Sequence, residues 1–414
     1  MGDGGTSCDV LVIGAGPGGG NAALQCARLG LNTILIEDHD EIGTPVHCGE
    51  CISDVACQNL GLTLPDHVIS KEVSGIRVIF PDGTEKRLTE EGYVLEKHLF
   101  ERWITDEAVS AGATLNLGHK LLSMERAEGE PFSGWVCDGK GDQFPIMAKI
   151  VIDASGVAAV CSRLVKPDGE NPLNEKGKVV AGMQYELLEV PTDGYLDFYI
   201  WPSYAEKGYL WMIPKCDGRA NVGLVTEDKP RTKKALDEFI ANTHFSESEQ
   251  ALPPWKEKGS PAFGGTIPIS GPFERTHYDG LILVGDAAGF TSPLFEGGSH
   301  LALKSAVFAA NTAANAISEG DLTSERLSEY TRLWKAEFPP YGKILRGKTA
   351  LFELSDDEMS VMATCFPDEM SGMGITGKAM VGLRLLFRKP TLYLKRIVPA
   401  MLAFGYSRAK YYGW

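Results

Sequence analysis

The chain has 414 residues, 43% of them hydrophobic, enough for a sizeable core and for about two or three structural units. Its net charge of -15 argues against nucleic acid as a partner. There is no run of about 18 apolar residues to span a membrane and no leader pattern in MGDGGTSCDV, and nine cysteines in scattered apolar context fit reduced thiols in a cytoplasm better than a disulfide framework.

Residues 9–37 read as one β-α-β unit. The strand DVLVIG leads through the glycine-rich turn GAGPGGG into the helix NAALQCARLG, and the strand NTILIE ends on Glu37. The loop PVHCGECIS, 45–53, follows, with Cys48 and Cys51 in C-x-x-C spacing. SGIRVIFPDGTEKRL predicts a hairpin turning on Pro-Asp-Gly, and VLEKHLFERWITDEAVSAGATL an amphipathic helix ending near Gly112. AKIVIDASG reads as a strand entering a turn of small residues. From about 166 to 270 alternating segments such as GYLDFYIWP, GYLWMIP and RANVGLVT predict an inserted antiparallel sheet. The α/β pattern returns with DGLILVGDAAG and the helix in GGSHLALKSAVFAANTAANAIS, and the remainder is mostly helical.

After Ser371 there is no Asp or Glu but there are eight basic residues: Lys378, Arg384, Arg388, Lys389, Lys395, Arg396, Arg408 and Lys410. Apolar and aromatic residues are mixed among them. Such a tail fits contact with an anionic lipid surface, or equally a basic face packed on the protein's own acidic body.

Gly14, Gly16 and Gly19 form a G-x-G-x-x-G turn between a strand and a helix. Gly14 permits the tight turn, Gly16 the close approach of a pyrophosphate, and Gly19 the packing of helix on strand. Glu37, about 20 residues on, ends the next strand, where a carboxylate accepts ribose hydroxyls. These features predict a bound dinucleotide. A second element selects FAD: Asp286 follows a strand and Gly297-Gly298 opens a helix, so a carboxylate meets a ribityl chain and a helix N-terminus meets the flavin pyrimidine edge. The expected architecture is α/β. A Rossmann-type FAD-binding domain comprises 1–165 and 275–345, an antiparallel-sheet substrate domain is inserted at 166–274, and 346–414 form a helical, basic C-terminal region.

Four stretches in order, GAGPGG with its Glu37, PVHCGE, GYLWMIP with ANVGL, and GDAAGFTSPLFEGGS, resemble the geranylgeranyl reductase family, flavoproteins with a p-hydroxybenzoate-hydroxylase-like fold. The resemblance implies reduction of isolated double bonds in polyprenyl chains. It implies FAD contacts at Gly18, Glu37, Cys48, Gly49, Cys51, Asp286, Gly298 and Ser299. It adds Lys97, where the family often has Arg, and a backbone contact to adenine at Leu121. The family's Y-x-W-x-F-P strand reads Tyr209-Leu210-Trp211-Met212-Ile213-Pro214 here, with Tyr209 and Trp211 as pocket residues. Ile213 in place of Phe is shared with flavin-dependent halogenases, which the chain also resembles. An oxygen-using halogenase or monooxygenase acting on an aromatic substrate is the alternative, weighed against by the C-G-E loop, the chain length and the lack of a lysine in the halogenase motif context.

The C-x-x-C spacing is open to three readings. A zinc site lacks a second ligand pair. A working dithiol is expected at a helix start in its own fold. The loop's place after the second Rossmann strand favours Cys48 as a residue beside the flavin. In the implied reaction the alkene receives a hydride from the reduced flavin and a proton from the protein, and since an isolated alkene is not polarised, it must be held close and supplied with an acid. A cysteine thiol carries its proton at neutral pH, so Cys48, or water near it, is the proton-donor candidate, with His47 a weaker one. The reductant is NADPH or an electron-donor protein such as ferredoxin, and the substrate a prenylated lipid. The protein is expected in the cytoplasm, with membrane-surface contact through residues 371–414. No metal is expected.

Overall fold

The computed structural model describes residues 6–127, 130–165, 179–243, 245, 248–251, 262–388, 396, 398–401 and 413–414. The first sheet is built on strand Thr6–Ile13. Its Val10, Leu11, Val12 and Ile13 are all buried, the signature of a parallel strand covered on both faces. It pairs in parallel with Thr33–Ile36 on one side and Gln143–Asp153 on the other. Thr114–Asn116 and Leu281–Leu283 extend the sheet in parallel, His277–Tyr278 closes one edge antiparallel, and Lys120–Glu125 with Phe132–Cys137 form an antiparallel extension. Helix Pro17–Arg28, with proline at its first turn where no amide partner is needed, packs on helix Ser299–Glu319; the Asn21 amide donates to the Leu303 carbonyl at 2.7 Å.

The second sheet runs in the order Gln250–Ala251, Val179–Leu187, Ala220–Thr226, Tyr209–Pro214, Tyr195–Tyr199, Gly75–Ile79, Glu85–Leu88, with Phe263–Pro268 also on Val179–Leu187. The hairpin read at 74–88 thus joins this sheet, although it precedes the inserted segment, which begins at 166, in sequence. It does so through a parallel pairing of Gly75–Ile79 with Tyr195–Tyr199, so the sheet is mixed rather than purely antiparallel.

Strand alternation divides the Tyr209–Pro214 strand between two cores. Leu210 and Met212 pack with Tyr199, Val222, Leu224 and Phe239 under helix Thr232–Asn242. Tyr209, Trp211 and Ile213 face the first domain and belong to its large core. A small third sheet, Cys51–Ser53, Gly92–Leu95 and Ile69–Val73, carries the end of the cysteine loop.

Helices Ser324–Glu337, Tyr341–Phe352, Asp356–Ala363 and Ile375–Arg388 follow. Ser355 and Glu358 form a reciprocal capping box at the third of these. On the last, Val381 and Leu385 are buried, while Met380, Leu383 and Phe387 on the opposite face are exposed, Phe387 to 81%. Arg384 lies next to that apolar face, whereas Arg388 donates to the Thr364 hydroxyl. Lys389, Lys395, Arg408 and Lys410 lie outside the described residues. Among the described residues no helix is long and apolar enough to cross a membrane. Gly413 and Trp414 return to the core, where the Gly413 carbonyl accepts the Ser53 amide at 3.0 Å.

Candidate functional site

The glycine turn has the geometry its spacing predicts. Gly14 is left-handed (φ 93°), and a side chain there would come within 2.7 Å of the Ala154 carbonyl oxygen. One at Gly19 would meet the Gly14 oxygen at 1.7 Å. Gly16 differs, since nothing lies within 4 Å of a Cβ built there. Gly14 and Gly19 are therefore small so that the protein can close on itself, whereas Gly16 borders open space in front of an uncapped helix N-terminus, the place for a phosphate. Gly18 is buried against Val284 and Ala302 and faces the packed side of the helix. Glu37 Oε2 accepts the Ala15 amide at 2.7 Å and Oε1 accepts the His39 amide at 3.1 Å, which fixes the carboxylate at the end of its strand. The hydrogen bond that His39 donates to the Glu37 carboxylate raises the pKa of His39. Leu121 has its side chain buried in the core of the antiparallel extension, so only its backbone is available to an adenine.

The second element closes the other end. Asp286 accepts the Thr291 hydroxyl at 3.0 Å. Burial pushes its carboxyl up, with Thr291 and then Lys97 opposing. Gly298 precedes helix Ser299–Glu319 without a side-chain cap, and a Cβ on it would lie 3.3 Å from Asp286 Oδ1. Ser299 opens that helix. Lys97 is buried and paired with Glu101 at 2.5 Å; despite the opposing effect of burial, Glu101 and then Cys48 raise its pKa. The Lys97 amide donates to Glu50 Oε1 at 3.0 Å, which ties the start of this helix to the cysteine loop.

The open space at Gly16, the two uncapped helix N-termini and the carboxylates of Glu37 and Asp286 form a donor and acceptor set that fits FAD. Gly16, Glu37, Lys97, Asp286, Gly298 and Ser299 are the residues that would hold it, on a turn that Gly14 and Gly19 allow to close.

The cysteine loop crosses to the second sheet. The His47 side chain is exposed and its Nδ1 lies 2.7 Å from the Gly264 carbonyl oxygen. The Cys48 carbonyl accepts Gln184 Nε2 at 2.9 Å, and Gln184 Oε1 accepts Trp211 Nε1 at 3.0 Å. Trp211 is therefore connected to Cys48 through Gln184. Gly49 packs on Ile213, whose Cδ1 would be 2.9 Å from a Cβ at that glycine. Cys51 donates to the Gly49 carbonyl at 3.5 Å, and burial, then Cys48 and Glu50, push its thiol well above the ordinary range. Both cysteines are free, and a thiol held in its protonated form is a poor attacking group for disulfide exchange. The Tyr209 hydroxyl donates to the Phe295 carbonyl at 2.8 Å, and its ring packs among Phe198, Trp211 and Phe295. That hydroxyl ties the sheet to the segment before Gly297, while the ring faces the interdomain core.

Behind the loop lies a charged cluster that sequence reasoning missed. Lys215, 1% exposed, reaches Glu50 at 2.8 Å, Glu96 at 3.0 Å and Glu186 at 3.8 Å, and Arg219 reaches Glu96 at 2.6 Å and Glu186 at 3.3 Å. Against the upward push of burial, Lys215, Ser70 and Arg219 hold the Glu96 carboxyl at about 2. Burial raises Glu186 instead. Glu296 and Lys348, both 4% exposed, form a second buried pair at 3.0 Å beside Gly297.

The family model for FAD dependent oxidoreductases matches residues 9–164, and that for the geranylgeranyl reductase catalytic domain matches residues 179–252. The chain is 33% identical to the digeranylgeranylglycerophospholipid reductase of Methanocaldococcus jannaschii over 93% of this chain and 96% of that one. The chain belongs to the geranylgeranyl reductase family of FAD-dependent oxidoreductases. Digeranylgeranylglycerophospholipid reductase 2 of Methanopyrus kandleri is 32% identical over 94% of this reductase and 99% of its own length. A geranylgeranyl bacteriochlorophyll reductase-like protein from Thermoplasma acidophilum superposes with a TM-score of 0.83 at 27% identity, over 94% and 98% of the two chains. The flavin-dependent brominase Bmp2 shares the fold, with a TM-score of 0.69 at 16% identity. The chain covers 96% of that brominase but 77% of the flavin-dependent halogenase CmlS, so the halogenase-like neighbours themselves differ in length.

Proposed function

We propose that the reductase saturates isolated double bonds of geranylgeranyl-type chains carried on a glycerophospholipid-like head group, with Cys48 as the proton donor. The observation that carries this reading is the connection from Trp211 through Gln184 to the backbone carbonyl of Cys48, which holds the cysteine loop against a sheet face that also carries Tyr209 and Ile213. An apolar wall on a strand and a thiol on the loop held against it are what an unpolarised alkene requires: a surface to hold it and an acid at one carbon.

Bound FAD supplies the reducing equivalents as hydride. The remaining work falls to the chain. The rings of Tyr209, Trp211 and Phe198 hold the alkene by dispersion and exclude water. The Cys48 S–H bond breaks as its proton forms a new C–H bond, and solvent returns a proton to the sulfur. Next to His47, a cavity of about 770 Å³ opens between loop residues Thr44, Pro45 and His47 and the strand residues Gly182, Met183, Phe263 and Gly265. Its size is in the range of ligand cavities, and its small residues leave room for a chain. The exposed face of Met380, Leu383 and Phe387, with Arg384 beside it, would rest the enzyme on an anionic lipid surface from which prenyl chains enter. Electrons come from NADPH or a donor protein.

Cys48→Ser tests the acid role. In dithionite-reduced enzyme with a geranylgeranyl lipid, the variant should retain bound FAD and reduce the lipid at least 100-fold more slowly in a single turnover, roughly the contribution of a general acid. An undiminished rate would remove Cys48 from the chemistry.

A further inference from the structure

Glu50 stands apart within its own loop. It is 2% exposed and left-handed (φ 71°), a conformation that a β-carbon disfavours. Its side chain explains why the conformation holds. Oε1 accepts the Lys97 amide at 3.0 Å, and Oε2 accepts Lys215 Nζ at 2.8 Å and Asn221 Nδ2 at 2.6 Å. Its carbonyl accepts the Leu95 amide at 2.8 Å. In this backbone geometry the Glu50 amide points back at Cys48 and donates to Sγ at 3.2 Å. A sulfur that accepts there has its own hydrogen directed elsewhere.

We infer that Glu50 is a positioning residue: its carboxylate, gathered by Lys97, Lys215 and Asn221, fixes the turn whose amide aims the Cys48 thiol. The inference rests on the reading of Cys48 as proton donor for its importance, but its geometry is independent of it. A carboxylate is required because all three partners are donors. The amide of glutamine presents an acceptor at only one end, so in Glu50→Gln an NH2 group must face either the Lys97 amide or Lys215 and Asn221. The exchange leaves the cluster balanced in charge, with two carboxylates, Glu96 and Glu186, against Lys215 and Arg219.

The test reads the thiol itself. Alkylation of Cys48 by iodoacetamide is followed by mass spectrometry of its peptide in the FAD-bound enzyme, wild type against Glu50→Gln, with Glu186→Gln as the control that removes a different carboxylate from the same cluster. We expect Cys48 to react at least fivefold faster in Glu50→Gln and within twofold of wild type in Glu186→Gln. Equal rates in all three, or an equal rise in both variants, would overturn the inference. Should Glu50→Gln fail to fold, Asn221→Ala removes one donor from Oε2 and should still raise the rate at least twofold; no change there would be equally fatal. Single-turnover lipid reduction separates the two claims. A thiol loosened in Glu50→Gln with lipid reduction intact would keep the positioning role and remove Cys48 as the acid.

Discussion

Replacing Lys215 with methionine would leave Glu50, Glu96 and Glu186 around a neutral side chain of similar length, with Arg219 as the remaining cation of the cluster. Removing one partner from a buried ionic cluster costs about 3–5 kcal/mol, because the opposite charges stay behind, desolvated and unpaired. Here the lost contacts are at 2.8, 3.0 and 3.8 Å, and the lysine is 1% exposed, so solvent screens little of the effect. The melting temperature of the FAD-bound enzyme should fall by about 5 °C or more at pH 7.5. The pH dependence is the sharper part. Carboxylates stripped of their cation have folded pKa values raised above the unfolded ones, so the penalty is largest above the folded values and shrinks as the groups become neutral on acidification. The difference from wild type, measured by scanning calorimetry, should therefore be smaller at pH 5 than at pH 7.5. A drop under 1 °C, or a difference independent of pH, would refute the assignment of Lys215 as the electrostatic centre of the cluster.

Gly16→Ala should leave the melting temperature of the FAD-free protein within about 1 °C, since a Cβ there meets nothing, while weakening FAD at least tenfold by fluorescence titration; equal binding would place the pyrophosphate elsewhere. Glu96, held at about 2 against an ordinary 4.5, contributes about 3 kcal/mol at neutral pH, present above pH 4.5 and lost as the pH falls towards 2. Glu96→Gln should accordingly destabilise at pH 7 in urea titrations, and its difference from wild type should shrink steadily as the pH falls from 4.5 towards 2. Exchanging Leu383 and Phe387 together for aspartate should abolish sedimentation with anionic liposomes and leave the fold intact by circular dichroism, because both side chains are exposed; retained binding would shift the membrane contact away from this helix.

What the sequence makes legible is what local spacing encodes. The turn glycines, Glu37 and the Asp286 element stand at the ends of periodic strands and helices, and their positions follow from those periods. Strand alternation alone puts Tyr209, Trp211 and Ile213 on one face. Contacts between distant segments are not written in this way. Glu50 meets Lys215 and Asn221 across 165 and 171 residues, and each by itself looks like an ordinary polar residue on a loop or strand. Gln184 is as inconspicuous, though it joins the two motifs that the sequence does show. The hairpin at 74–88 lies within the sequence range of the FAD-binding segment, whereas its pairing with Tyr195–Tyr199 is a tertiary choice. The clue within reach was Lys215 directly after Pro214, a charged residue at the end of a fully apolar strand, which demands a buried partner.

The most direct measurement is anaerobic. The FAD-bound enzyme is reduced with dithionite, given a geranylgeranyl glycerophospholipid, and followed by the flavin spectrum while the lipid is weighed by mass spectrometry. Reoxidation of the flavin without oxygen, with two hydrogens gained per double bond, is the predicted result. A flavin that stays reduced until air is admitted, with the lipid mass unchanged, would contradict prenyl reduction and favour the oxygen-using branch of the fold.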